Sequence, residues 1–216
     1  VIAALCFSPD PAQRGLASVD REGRTLYWKP DETGQWRAQL VQPPDRERYR
    51  PDVVRRLSPY RESTQVVMLD SRHLVLPVYR PSDEQQYPFW QLRRFDVATR
   101  TSEPLLPEDP AGLHRGMVIT LACSRDGTRL ASADLAQYSP GPNGSRYRFF
   151  VWDLQSGERQ QQLIDRLPLS LAFSGNGRTL LVGTRRSKSA TAVLQNWNTA
   201  NIQELEKQQP DVESSS

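Results

Sequence analysis

Chemistry-bearing side chains are scarce. The 216 residues contain two histidines, two cysteines and two methionines. No Cys-x-x-Cys or His-Glu-x-x-His pair is present, so the usual ligand spacings of zinc sites are missing. There is no Gly-x-Ser-x-Gly elbow and no Gly-x-x-x-x-Gly-Lys loop, which removes the common serine-hydrolase and nucleotide-binding signatures. No apolar run is long enough to span a bilayer, and no signal peptide is visible. Charge of one sign is lacking too. Lys plus Arg is 28 against 25 for Asp plus Glu, a net charge of +3, which is little to attract nucleic acid.

Cys6 and Cys123 lie in apolar strand-like runs and are expected to be buried free thiols. Together these absences predict a chain that is not an enzyme, carries no cofactor or metal, does not contact a membrane and works in the cytoplasm. The opening Val1-Ile2-Ala3-Ala4-Leu5 is already strand-like. The last residues, 207–216, have the polarity of a flexible tail.

What the chain does have is a repeat. Four segments, about 1–40, 65–106, 117–163 and 168–206, share one order of features. Each has an apolar run, a tight polar turn, a second apolar run, a third run ending in an aromatic, and a short fourth run. The third segment is clearest. Val118 to Ser124 leads through Arg125-Asp126-Gly127 to Leu130-Ala131-Ser132, then Arg148 to Asp153, then Glu158 to Leu163. The second is the most worn. Its strands begin at Gln65, Leu74, Leu92 and Ser102, and Pro77 falls inside one of them. The pattern predicts an all-β fold of four four-stranded antiparallel blades.

Several strings carry a further signal. Phe7-Ser8-Pro9-Asp10, the Leu-Ala-Ser triplets at 16–18 and 130–132, and Trp152-Asp153 resemble the WD-repeat β-propeller family. Phe95-Asp96, Trp197-Asn198 and Trp28-Lys29 occupy the Trp-Asp position with one member changed. The resemblance covers residues 1–206. It implies part of a larger ring of about seven blades. It also implies a hydrogen-bonded set of His114, Ser132 and Trp152, with Asp134 as a candidate fourth member. Leu113 stands where the family has Gly before His114.

Loop length is uneven between the two faces of such a blade. Turns between first and second strands, and between third and fourth, are short. The other connections are long: 41–64, 80–91, 107–116, 134–147 and 185–191. Long unpatterned loops inside a compact domain are commonly functional. These are rich in Tyr, Trp and Arg, the types that dominate interface energetics. The residues expected to meet a partner are Tyr49, Arg50, Tyr60, Arg61, Arg80, Tyr87, Trp90, Tyr138, Arg185 and Arg186. The expected role is a protein-interaction scaffold or sensor module. Its expected associates are a protein partner and either further propeller blades or a fused effector domain. Two alternatives are open: an enzyme or small-molecule or ion binder using the central channel, and nucleic-acid binding through the basic loops. The segment 41–64 holds six arginines against four acids, a balance that salt-bridged loop surface would also show.

Overall fold

The computed structural model describes residues 2–9, 14–20, 24–42, 66–80, 89–106, 114, 116, 118–135, 147–185 and 192–204. They form four four-stranded antiparallel sheets arranged as the blades of a β-propeller. Blade 1 is β1 (Ile2–Phe7), β2 (Leu16–Asp20), β3 (Thr25–Pro30) and β4 (Trp36–Gln42). Blade 2 is β5 (Val67–Met68), β6 (His73–Arg80), β7 (Phe89–Asp96) and β8 (Thr101–Pro104). Blade 3 is β9 (Val118–Cys123), β10 (Arg129–Leu135), β11 (Tyr147–Asp153) and β12 (Arg159–Ile164). Blade 4 is β13 (Leu167–Phe173), β14 (Thr179–Arg185), β15 (Ala192–Asn198) and β16 (Gln203–Glu204).

Alternation sorts side chains onto the two faces of each blade. The face bearing the third-strand aromatic turns toward the preceding blade. Phe95 packs with Val66, Met68 and Leu74 against Ala17, Val19 and Tyr27 of blade 1. Trp152 packs with Leu121, Leu130 and Phe150 against Val67, Val75, Trp90 and Leu92 of blade 2. Trp197 packs with Leu171, Leu180 and Val182 against Ala131, Ala133, Phe149 and Val151 of blade 3. Among the described residues no core cluster joins blade 4 back to blade 1.

Pro77 sits in the middle of β6, opposite Leu92. The β5 ladder reaches only Leu74 and Val75. Pro77 lies past the end of that ladder, where a strand tolerates a residue without an N–H.

The third-to-fourth strand turns are built alike. Asp153 Oδ1 accepts the N–H groups of Gln155 and Ser156, both at 3.0 Å. Asp96 Oδ1 accepts those of Ala98 and Thr99 at 2.8 and 3.3 Å. Asn198 Oδ1 accepts that of Ala200 at 2.8 Å. The carboxyl or amide after the aromatic therefore shapes a turn. The residue four positions after it takes a positive φ: Gly157 at 76°, Arg100 at 59° and Ile202 at 46°.

Candidate functional site

The best-formed polar cluster lies between blades 2 and 3 and is closed to solvent. The indole Nε1–H of Trp152 donates to Ser132 Oγ at 2.8 Å. Ser132 Oγ lies 3.0 Å from His114 Nε2. His114 Nδ1 lies 2.8 Å from Asp134 Oδ2. Arg148 Nε donates to Asp134 Oδ1 at 3.0 Å, and its terminal nitrogen reaches Oδ2.

Donor bookkeeping settles the proton positions for a neutral imidazole. Ser132 accepts from Trp152 and donates to Nε2. Nδ1–H donates to Asp134. Every group is then satisfied, as burial demands. Burial pushes the Asp134 carboxyl up. The hydrogen bonds from His114 and Arg148 and the positive charge of Arg148 outweigh burial and hold it below the ordinary carboxylate range.

The order Ser–His–Asp is that of a nucleophile relay. Here Ser132, His114 and Asp134 are all 0% exposed. Trp152 occupies the serine oxygen, so no substrate reaches it. The cluster ties strands together. His114 also exchanges backbone hydrogen bonds with Trp90 at 2.8 and 2.9 Å, fixing the segment before β9 to blade 2. Phe150 meets the imidazole edge-on at 4.7 Å. Arg159 lies over Phe150 and Trp152, at 5.3 and 5.4 Å from their ring centroids. Arg148 was not anticipated. Its place opposite Asp134 depends on strand register across the inserted 136–146 segment.

Blade 1 repeats part of the set, because Trp28 Nε1–H donates to Ser18 Oγ at 2.8 Å. Its counterpart in blade 2 is Phe95 with Leu76, where donor and acceptor are both gone.

The expected partner-binding residues are differently placed. Trp90 requires correction: it is 9% exposed and packs into the core between blades 2 and 3. The third strand of blade 2 begins at Phe89, earlier than expected, so Trp90 lies inside a strand on the same face as Leu92. Arg80 ends β6 and Arg185 ends β14, each at the second-to-third strand end of its blade. Arg185 is half-buried, and its Nε is buried with no acceptor among the described residues. Tyr49, Arg50, Tyr60, Arg61, Tyr87, Tyr138 and Arg186 lie outside the described residues.

On the opposite face His73 is half-buried, with Nδ1 2.7 Å from Asp70 Oδ2. Cys6 and Cys123 are free and half-buried on inner strands. Burial raises both thiols. Cys123 is pushed up to about 12, with the charges of Cys6, Asp126 and Asp70 adding to burial. Cys6 gains some relief from the Met68 N–H, 3.3 Å from its sulfur. Among the described residues no group of three His, Cys, Asp or Glu side chains could hold a metal ion. No helix among them is long and apolar enough to cross a membrane.

No family model matches the chain, and no curated protein matches it. Solved structures do. An oligogalacturonate lyase from Vibrio parahaemolyticus aligns with TM-score 0.54 and 13% identity, over 93% of this chain and 50% of the lyase. The Dos1 propeller aligns with TM-score 0.53 and 10% identity, over 95% of this chain and 58% of that one. The tricorn protease aligns with TM-score 0.51 and 15% identity, over 94% of this chain and 17% of the protease. The chain thus spans less than two thirds of each. These likenesses establish a β-propeller and nothing finer.

They also overturn the expectation that the chain is not an enzyme. A protease and a lyase are among the proteins that share its fold. The scarcity of familiar motifs therefore does not exclude catalysis, and whether this chain catalyses a reaction is not established.

Proposed function

We propose that the chain is a WD-repeat-type platform that binds a protein partner through the long-loop rim of its propeller. The observation that supports this reading is the asymmetry between the two faces. On one face, strands are joined by tight hydrogen-bonded turns. The Gly127 N–H donates to Ser124 O at 3.0 Å, and the Gly177 N–H to Ser174 O at 2.9 Å. On the other face, β4 and β5 are separated by residues 43–66, β6 and β7 by 81–88, β10 and β11 by 136–146, and β14 and β15 by 186–191. A rigid sheet scaffold presenting long loops on one side is a common way to build a binding surface.

The WD-repeat reading draws on the Trp152–Ser132–His114–Asp134 set and on the Trp28–Ser18 bond. The two free thiols suit a reducing compartment such as the cytoplasm.

The test is capture of partners by the wild-type chain and by a Tyr60→Ala/Tyr138→Ala variant, read by quantitative mass spectrometry. Loss of one specific partner with an unchanged melting temperature is the expected result. An unchanged partner profile refutes the rim. Trp90→Ala is the contrasting control, and lowers the melting temperature because Trp90 is core.

A further inference from the structure

Blades 3 and 4 close their first-to-second strand turns on one hydrogen-bonding plan. In blade 3 the turn is Ser124-Arg125-Asp126-Gly127-Thr128, and in blade 4 it is Ser174-Gly175-Asn176-Gly177-Arg178. Asp126 Oδ1 accepts the hydroxyl of Ser124 at 2.6 Å and the N–H of Thr128 at 3.1 Å. Asn176 Oδ1 accepts the hydroxyl of Ser174 at 2.8 Å and the N–H of Arg178 at 3.1 Å. Each serine Oγ in turn accepts the N–H that opens the second strand, at 2.9 and 3.0 Å. Gly127 and Gly177 hold φ at 70° and 67°. At the shared acceptor the turns differ only in a carboxylate against an amide.

Asn176 is exposed, and the residue after it is glycine. Having no Cβ, glycine hinders attack on a preceding side-chain amide least. We propose that Asn176 is a site of spontaneous deamidation, and that the turn accepts the aspartyl product as it accepts Asp126 in blade 3. In this reaction the Gly177 nitrogen loses its proton and bonds to Asn176 Cγ. The Cγ–Nδ2 bond breaks, ammonia carries the proton away, and a succinimide remains. Water then opens the ring. Opening between Cγ and nitrogen gives aspartate. Opening at the main-chain carbonyl gives isoaspartate, which runs the backbone through the side chain and lengthens it by a methylene.

The fold tells the two products apart. Aspartate keeps an oxygen for Ser174 and Arg178, and the same bonds hold the Asp126 carboxyl below its ordinary range. Isoaspartate displaces Gly177. The Gly177 carbonyl accepts from Thr199 Oγ1 at 2.9 Å and from the Arg129 guanidinium at 3.3 Å, which ties this turn to blade 3. A longer backbone breaks that tie. The fold also sets the pace, because the attacking nitrogen is bound to Ser174 O at 2.9 Å and the turn must open first.

The test is ageing of the native chain, and of the chain in urea, at neutral pH. Peptide mapping by mass spectrometry follows Asn176 apart from Asn143, which also precedes a glycine. Conversion at Asn176 is expected in both samples, about tenfold slower in the native one because the turn must open. Asn176→Asp is expected to keep the wild-type melting temperature, and the isoaspartyl form, separated by ion exchange, to melt below it. A native chain that does not convert while the urea sample does overturns the proposal. So does an Asn176→Asp variant that melts well below wild type, or an isoaspartyl form that melts with it.

Discussion

Val182 stands in blade 4 where Ser132 stands in blade 3, and Trp197, the counterpart of Trp152, consequently has a buried Nε1–H with no acceptor among the described residues. Blade 3 satisfies the indole and blade 2 dispenses with it. Blade 4 keeps the donor and has lost the oxygen. A buried donor without a partner costs about 1–3 kcal/mol, whereas a made bond returns about 1 kcal/mol.

Val182→Thr is close in shape and supplies a hydroxyl. It is expected to raise stability by about 1 kcal/mol, read from the midpoint of urea unfolding. Trp197→Phe removes the orphan donor along with ring volume. Trp152→Phe strips Ser132 of a real bond, so it is expected to cost more than Trp197→Phe. Equal losses at the two positions would show that Trp197 has an acceptor after all.

The αL position of the third-to-fourth strand turn offers a second comparison. Arg100 and Ile202 hold the conformation that Gly157 adopts freely. Arg100 is exposed and its side chain lies outside the core. Arg100→Gly is expected to stabilise by about 0.5–1 kcal/mol, seen as a higher melting temperature. Ile202 is 5% exposed and packs with Phe149 and Trp197 in the core between blades 3 and 4. Ile202→Gly relieves the same strain but forfeits about 1.5–3 kcal/mol of burial, so it is expected to destabilise. Opposite signs for one substitution at two equivalent positions follow from burial alone.

The blades were legible because each role in the repeat is local. The aromatic marks the covered face of the third strand, and the acid or amide after it organises the turn that follows, so their spacing survives even in blade 2. Trp90 was misplaced for a related reason. The third strand of blade 2 starts before its apolar pattern becomes obvious, and an aromatic next to a polar loop looks like loop. Arg148 was invisible because nothing in its neighbourhood marks it; only the register of β10 against β11 puts it on Asp134. The exposure of Leu5 and Phe7 on the inner strand of blade 1 was equally illegible. Leu5 and Phe7 have the pattern of any covered strand, and their exposure is a fact about neighbours.

Cysteine reactivity tests the packing around the inner strands. With its thiol raised from 9.0 to about 12, Cys123 has about a thousandfold less thiolate at neutral pH than an ordinary cysteine. Iodoacetamide is expected to label it far more slowly in the native protein than in urea, followed residue by residue by mass spectrometry. Equal rates in the two states would mean that the thiol meets solvent.

The acid limb of stability tests the Asp134 network. The folded-state value of Asp134 is depressed. Its contribution is therefore complete above the unfolded-state value of about 3.9 and is lost as pH falls through the lower folded-state value. Asp31, Asp70, Asp96, Asp126 and Asp153 are shifted the same way, so the limb is collective. Asp134→Asn removes one component and leaves Arg148 without its carboxylate partner. Removing one member of a buried pair costs about 3–5 kcal/mol. The variant is expected to lose that much at pH 7, and to lose less than wild type on further acidification below about pH 4. The reading is the difference in unfolding free energy between pH 7 and pH 3 for both proteins. A variant whose curve runs parallel to wild type would show that Asp134 does not enter the folded core as a charged group. In that case the His114–Asp134 bond would be one between neutral partners.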